Sequence, residues 1–376
     1  MRKGIYIKNN ILLVLAIAFC LRLLVAFLPV APVSDCYWYH QTALSIAQKG
    51  TFALNNVKTA YRMPGYPFIL SIIYKIFGPD PLSARLLNVF FSLLMVFLCY
   101  ILAKMYFGKV IAERAALLVA IYPEIILYVS AVCPEVIFAA LLVMWLISTQ
   151  FPGRKKIISG IIVGVMSYIK PIALPLAILP ILWDRRNWKL WFASFVIAFA
   201  MVLPWGIRNY NNFGKFAFTS NLWVNLWIGN GSQADGGYFD PPDAPGNNEF
   251  ASDEWFKNKL LDDLAKEPLR PFLLIPLKAA HFAIPAVTAA KWGLADVLDE
   301  RFISAIVILL TAINLLVGVL FVLCVVKRRV KPQLLWVVVY FLVISLVFFG
   351  NDRFRFPIIS LILISLAGKC LGKEEK

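Results

Sequence analysis

The sequence has few charged residues for its length. Only 15% of its 376 residues are charged, whereas 61% are hydrophobic, and the mean hydropathy is +0.76. Soluble domains carry about 25% charged residues. This composition excludes an ordinary soluble protein and indicates an integral membrane protein.

Motifs that bind metals or nucleotides are missing as well. The two histidines, His40 and His281, stand far apart, and no HExxH, DxD or cysteine cluster occurs, so we expect no dedicated metal site. No Walker A or GxGxxG loop occurs, which argues against a soluble nucleotide as a direct donor of any transferred group. We therefore expect no required cofactor of either kind.

Acidic residues are scarce outside one segment, and this explains the formal net charge of +16. Residues 208–301 contain nine Lys or Arg against twelve Asp or Glu, so the positive excess lies in the rest of the chain. It concentrates there in short connections between apolar runs, which is the positive-inside pattern of membrane proteins. We expect contacts with membrane lipids and no nucleic-acid partner.

Apolar runs of about 20 residues, enough to cross a bilayer as a helix, recur along the chain. With the basic clusters on the cytoplasmic side, both termini are cytoplasmic, and residues 31–80 and 208–301 lie outside. The sequence thus predicts an all-α polytopic membrane protein of about 10 or more transmembrane helices, with amphipathic helices in the outer loops. The expected organisation is an N-terminal transmembrane module at 1–207, a small outer-face loop region at 208–301 and C-terminal transmembrane helices at 302–376.

Two of the apolar runs, 157–169 and 171–182, are too short for a bilayer core of about 30 Å. We expect a shallow hairpin with Lys170 at its tip, in a wet cavity near the outer face. The next span is expected to end at Pro204-Trp205. The full set of longer predicted spans is about 10–30, 83–103, 112–131, 134–150, 189–206, 302–326, 332–349 and 356–370.

Charged residues at the ends of separate connections converge on the outer face in this topology. Arginine suits phosphate through its planar fork, and lysine acts as a point charge. A basic ring around carboxylates predicts an anionic headgroup bound near a proton acceptor. The set on this face is Asp35, Arg62, Glu135, Lys170, Arg208, Arg353 and Arg355.

Most members of this set have a structural alternative. Asp35 could cap the amphipathic stretch Cys36 to Gln48, and Glu135 could complement a helix dipole. The three later arginines could anchor spans at the membrane interface. Lys170, at the break between two short helices, fits an anchoring role less well.

Other polar residues leave two pairings open. Arg22 and Glu124 lie inside predicted spans, where charges commonly pair, so they could neutralise each other. Cys36 and Cys133 are both expected on the outer face near a carboxylate. A disulfide between them stays open, because connectivity cannot be deduced from one sequence.

Short motifs follow one another in a definite order on this common face. They are Asp35 with Tyr39, Ala43, Ala47 and Gly50, then Tyr61 to Pro67, Pro134 to Phe138, Lys170-Pro171, Pro204 to Tyr210, Asn225 to Asn230, and Arg353 to Pro357. In this order the chain resembles, over most of its length, the GT-C integral-membrane glycosyltransferases that use polyprenyl- or dolichyl-phosphate sugars. That group contains the protein O-mannosyltransferases and the lipid A aminoarabinose transferase.

The resemblance implies roles for individual residues. Asp35 resembles the catalytic aspartate of the first outer loop, and Arg62 stands where relatives contact the lipid-linked phosphate. Glu135 falls where many relatives carry a second acid, although Glu replaces the usual Asp. The catalytic residues implied are therefore Asp35 and Glu135, and those expected to bind substrate are Arg62, Tyr66, Lys170, Arg208, Arg353 and Arg355.

The implied activity is a hexosyl- or pentosyltransferase of the plasma (inner) membrane. It would move a sugar from a polyprenyl monophosphate-linked donor to an acceptor hydroxyl on a lipid, glycan or protein at the outer or periplasmic face. Asp35 would act as general base, with inversion expected. One alternative is a lipid-linked-oligosaccharide polymerase or ligase with a pyrophosphate-linked donor. Another is a lipid or sugar transporter, against which the one-sided charge and the lack of an internal repeat argue.

Overall fold

The computed structural model of the chain describes residues 10–246 and 248–370, and its regular structure is almost entirely helical. The predicted all-α class is confirmed. One small hairpin, β1 (Ala53–Leu54) paired antiparallel with β2 (Val57–Lys58), accompanies the helices. The basic N-terminal residues and the C-terminal tail, which we predict to be cytoplasmic, lie outside the described residues.

The helices are labelled in chain order. They are α1 (Asn10–Ala26), α2 (Asp35–Lys49), α3 (Gly65–Phe77), α4 (Pro81–Phe107), α5 (Lys109–Ile121), α6 (Pro123–Leu127), α7 (Glu135–Thr149), α8 (Ile158–Ile169), α9 (Trp188–Phe213), α10 (Leu222–Asn230), α11 (Glu249–Lys266), α12 (Arg270–Leu273), α13 (Ile275–Ala283), α14 (Thr288–Leu294), α15 (Glu300–Val326), α16 (Pro332–Val347) and α17 (Asp352–Cys370). Short 3-10 helices cover Gly153–Ile157, Pro171–Ala177, Leu179–Leu182 and Arg185–Asn187.

Two helices, α7 and α17, form the centre of the bundle. Both are apolar around most of their circumference and nearly every described side chain along them is buried, as expected for helices without a polar face. The α7 helix packs on α4, α8 and α17, and α17 also packs on α5, α15 and α16. Because α7 begins with Glu135 and the first turn of α17 contains Arg353, this packing brings two charged residues to the same end of the bundle.

The outside of the bundle is apolar where a soluble protein would be polar. Side chains such as Ile308 (70% exposed) and Val326 (74% exposed) of α15 face outward, which marks a surface covered by lipid. Among the residues that the structure describes, three helices are long and apolar enough to cross a membrane, namely Pro81–Phe107, Arg185–Phe213 and Glu300–Val326, and several shorter apolar helices accompany them. The chain is a membrane-embedded helical protein.

The predicted break at Lys170-Pro171 is confirmed, whereas two predicted spans differ from the structure. The span expected at about 112–131 is divided at Tyr122 into α5 and α6, and α6 ends at Leu127. The α8 helix ends at Ile169, and a 3-10 helix follows, because proline restricts the residue before it to an extended conformation. The span expected to end at Pro204-Trp205 instead continues as α9 to Phe213. Pro204 removes one helical hydrogen bond without ending the helix, and Gly214 in a left-handed conformation (φ 71°) closes it.

The buried charges do not pair as Arg22 with Glu124, so that prediction is wrong. Arg22 donates to the backbone carbonyl of Ala120 (2.7 Å) and to the hydroxyl of Ser92 (2.6 Å). Carbonyls at the end of α5 lack helical partners, and they satisfy the guanidinium without a carboxylate. Glu124 pairs instead with Arg355, at 3.2 Å, and both side chains are buried.

This buried pair predicts a non-additive response to substitution. Glu124→Gln and Arg355→Met should each destabilise the protein by about 3–5 kcal/mol, since each leaves an uncompensated buried charge. The double variant should lose less than the sum of the two, because it leaves neither charge alone. Unfolding of the detergent-solubilised variants measures this, and additive losses would contradict the pairing.

Candidate active site

Residues 31–80 and 208–301 pack together at one end of the bundle, and we call this end the large-loop face. Glu249, at the start of α11, joins the two segments. Its carboxylate accepts from the backbone N–H of Ala60 (2.8 Å), the hydroxyl of Thr59 and the hydroxyl of Ser220 (2.9 Å). The loop that precedes Arg62 is thereby held against the second segment.

Asp35 is the first helical residue of α2, and its side chain does not cap the helix. The residue in the capping position is Ser34, which has a positive φ of 51° and makes no side-chain capping bond. The carboxylate of Asp35 is bound by Arg62 and Arg353. The alternative that Asp35 serves as an N-cap is therefore wrong.

Arg62 is held in one position by its neighbours. Its Nη2 atom lies 2.6 Å from Oδ1 of Asp35, and the Tyr61 ring lies 5.2 Å from the guanidinium carbon, within the range of a cation–π contact. The turn that follows needs Gly65, since a Cβ there would lie 2.6 Å from the backbone oxygen of Tyr168. The close approach of α3 to α8 explains the glycine of this motif.

Arg353 joins the two carboxylates. Its Nη1 lies 2.5 Å from Oδ2 of Asp35, and its Nε and Nη2 lie 2.9 and 2.7 Å from Oε1 of Glu135. Lys170 Nζ lies 3.0 Å from the same Glu135 oxygen, and the Trp292 ring is 4.5 Å from the Arg353 guanidinium carbon. We call the set of three cations and two carboxylates the charge network; its members are Asp35, Arg62, Glu135, Lys170 and Arg353.

The charge network sets the ionisation of Asp35. Burial raises the pKa of this carboxyl, but Arg62 and Arg353 outweigh burial and hold the pKa below its ordinary value. Asp35 is thus ionised, and each of its two oxygens is paired with an arginine. A carboxylate in this state accepts a proton readily only after one of its cations has moved to another anion.

A cavity of about 540 Å³ opens beside the charge network. Asp35, Arg62, Lys170 and Arg353 line it, so the structure brings together four residues that the sequence analysis assigns to the site. Glu135 is fully buried behind them and reaches the cavity only through the cations it binds. The volume is in the range of ligand pockets, which is about 300–1,000 Å³.

Three other predicted site residues do not line this cavity. Tyr66 is fully buried and packs edge-on against Tyr39, with ring centroids 5.3 Å apart. Arg208 donates to the carbonyl of Thr59 (2.8 Å) and so holds the 52–60 loop on α9. Arg355 binds Glu124 inside the bundle. These side chains position the elements around the cavity.

The cavity also contains residues that the sequence analysis does not single out. Lys291 and Trp292 come from α14, Tyr238 and Asp240 come from the loop before α11, and Asn351 precedes α17. A lone lysine beside a tryptophan in an otherwise apolar stretch was the available signal for the first pair. Nothing in the turn-rich 235–248 stretch distinguishes Asp240 from its acidic neighbours.

Cys36 and Cys133 lie side by side as free, buried thiols. Cys133 is also in contact with Glu135, so the pair borders the charge network. Within residues 10–246 and 248–370, no group of three or more His, Cys, Asp or Glu side chains is placed to hold a metal ion.

Comparison with protein families gives a match over part of the chain. Residues 61–207 match the family described as dolichyl-phosphate-mannose-protein mannosyltransferase. The matched region begins at the Tyr61-Arg62 motif and includes Glu135 and Lys170. Among curated proteins, none matches this sequence.

Solved structures share the fold over nearly the whole chain. The Archaeoglobus fulgidus oligosaccharyltransferase tethered to an acceptor peptide has a TM-score of 0.56 at 15% identity and covers 96% of this chain. AglB from the same organism, in complex with an inhibitory peptide and a dolichol-phosphate, has a TM-score of 0.54 at 15% identity and covers 97% of this chain. The chain corresponds to 49% and 50% of these two proteins, so it spans about half of their length.

ArnT from Cupriavidus metallidurans, solved bound to undecaprenyl phosphate, has a TM-score of 0.49 at 14% identity, covering 95% of this chain and 77% of ArnT. At such identities the archaeal structures show a shared fold. The family match over residues 61–207 and this shared fold confirm the resemblance to GT-C membrane glycosyltransferases.

Proposed function

We propose that this chain, a membrane protein of GT-C type, transfers a sugar from a polyprenyl monophosphate-linked donor to an acceptor hydroxyl. The observation that carries the proposal is the bridging position of Arg353. It holds Asp35 and Glu135 together at the wall of a cavity large enough for a sugar phosphate. A carboxylate beside exchangeable cations meets both needs of glycosyl transfer, a proton acceptor and a site for the leaving phosphate.

Binding of the donor phosphate prepares Asp35 for catalysis in this proposal. The phosphate competes with Asp35 for Arg62 and Arg353, whose planar forks suit both kinds of anion. As either arginine turns toward the phosphate, the pKa of Asp35 rises from its depressed value. The base is thus released when the donor is in place.

The chemical step then proceeds at the anomeric carbon. The acceptor oxygen attacks from the face opposite the phosphate, its proton passes to Asp35, and the new glycosidic C–O bond forms as the bond to the phosphate oxygen breaks. The electron pair leaves with polyprenyl monophosphate, whose charge the nearby cations stabilise. Attack from the opposite face inverts the anomeric configuration. Glu135 keeps Lys170 and Arg353 in position throughout.

We assign the reaction to the outer side of the plasma membrane. Basic residues concentrate in the connections at the other end of the bundle, such as Arg154 to Lys156, whereas residues 208–301 are acidic overall. The module at 1–207 carries the base and most of the charge network. Residues 208–301 cover it and line part of the cavity, and residues 302–376 supply Arg353.

The lipid that accompanies the purified protein tests the donor class. Gentle extraction and mass spectrometry should find a polyprenyl monophosphate or its sugar derivative in the wild-type protein and much less of it in Arg353→Ala. The control is Asp80→Asn. Asp80 lies in the 31–80 segment, caps α4 and does not line the cavity, so this variant should retain the lipid. A co-purifying pyrophosphate-linked oligosaccharide would favour a polymerase or ligase and contradict the monophosphate donor.

A further inference from the structure

The cations of the charge network are already engaged in the structure. Arg62 binds Asp35, Lys170 binds Glu135, and Arg353 binds both carboxylates at 2.5–2.9 Å. An incoming anion must compete with these carboxylates for every one of the three. A ligand with a strong negative charge would enter more easily if the cavity also held a cation with no internal partner.

Lys291 is such a cation. Its side chain is exposed and lines the same cavity. Among the described ion pairs and hydrogen bonds, none engages the Lys291 amine, in contrast to the three cations of the charge network. Its neighbour Trp292 packs on Arg353, so the free amine belongs to the same wall of the cavity as the bridging arginine.

The short helix that carries Lys291 is fixed to the rest of the site. At its start, the backbone N–H of Thr288 donates to one oxygen of Asp352 (2.7 Å) and the Thr288 hydroxyl donates to the other (2.6 Å). Asp352 directly precedes Arg353 on α17, and Ser130 donates to the carbonyl of Gly293 (2.9 Å) on the far side. Because both ends of α14 are tied down, Lys291 is held at a definite place relative to Arg353.

We infer that Lys291 is the first ligand of the donor phosphate and a determinant of donor affinity. The inference rests on the proposed function and adds to it a residue outside the family-matched region. An ammonium is a compact point charge that contacts a phosphate oxygen from any direction. Lys291 attracts and holds the phosphate before Arg62 and Arg353 exchange their carboxylate partners for it. It also adds positive charge where the leaving group develops negative charge.

The experiment compares Lys291→Gln, Lys291→Arg and the control Lys266→Gln, an exposed lysine of α11 that does not line the cavity. Binding of a short-chain polyprenyl monophosphate to the detergent-solubilised full chain is measured directly, with phosphatidylglycerol and inorganic phosphate as separate probes. Lys291→Gln should weaken polyprenyl monophosphate binding by about tenfold or more, the usual range for losing a hydrogen bond to a charged group. Lys291→Arg should bind within about threefold of wild type, because the charge is kept, and Lys266→Gln should match wild type.

A kinetic readout separates affinity from a general structural effect. In a transfer assay, Lys291→Gln should raise KM for the donor more than it lowers kcat, and its unfolding temperature should match that of wild type.

Unchanged binding by Lys291→Gln, with a wild type that binds and transfers, overturns the inference and leaves the proposed function standing. If Lys291→Gln weakens the binding of phosphatidylglycerol as much as that of polyprenyl monophosphate, the donor assignment is overturned and Lys291 is a contact for bulk lipid. A wild type that neither binds the monophosphate nor transfers refutes the proposed function itself, and the inference with it.

Discussion

Asp35→Asn should lower the turnover number for sugar transfer by about 10²–10⁴-fold, the usual contribution of a general base. Asparagine keeps the size of the side chain and an oxygen that accepts from Arg62, but it cannot take the acceptor proton. Donor binding should persist, since the cations around the cavity remain and are less engaged than before. Initial rates at saturating donor, measured with a folded, monodisperse variant, check this result.

Asp80→Asn provides the matched control for this substitution. It is the same chemical change in the same 31–80 segment, and the amide oxygen can still accept the capping bond from the N–H of Leu82. Turnover by Asp80→Asn should stay near that of wild type. If Asp35→Asn were equally active, Asp35 would not be the base, and its ion pairs would be purely structural.

Arg353→Ala should be as damaging, for a different reason. The change removes a guanidinium that binds both carboxylates, and losses of about 10²–10³-fold are typical when one donor to a developing oxyanion is removed. Arg353→Lys should be intermediate, because the charge remains while the fork that reaches both Asp35 and Glu135 is lost.

The pH dependence of Arg353→Ala gives a second, independent readout. Arg353 contributes to the low pKa of Asp35, so its removal should raise that pKa. A base must be deprotonated to act, and the acidic limb of kcat/KM should therefore move to higher pH than in wild type. A variant with reduced activity but an unmoved acidic limb would show that Arg353 does not set the ionisation of Asp35.

The convergence of Asp35, Arg62, Lys170 and Arg353 could be anticipated from sequence for physical reasons. Charge is scarce within the apolar spans, so most charged residues lie at their ends or in the connections, and alternating spans return alternate ends to the same face. Proline restricts the backbone of the residue before it, so the end of α8 at Lys170-Pro171 could also be predicted from the sequence. The prediction needed only topology and no knowledge of packing.

The positions that differed from expectation depend on packing that hydropathy does not report. Arg355 belongs to the same motif as Arg353, and Arg208 carries the same charge, yet Arg208 binds a backbone carbonyl and Arg355 a buried carboxylate. Arg353 and Arg355 are separated by about half a turn of α17, so they point to different partners. The importance of Lys291 depended on which other cations were already paired, and no sequence pattern contains that information.

The most direct test is a transfer reaction with purified wild-type protein and a defined polyprenyl monophosphate sugar. Each glycosylated acceptor should appear together with one released polyprenyl monophosphate, as quantified by mass spectrometry, and Asp35→Asn should form neither product at a comparable rate. A donor that stays intact under conditions where the protein binds it, or equal product formation by Asp35→Asn, would contradict glycosyl transfer with Asp35 as its base.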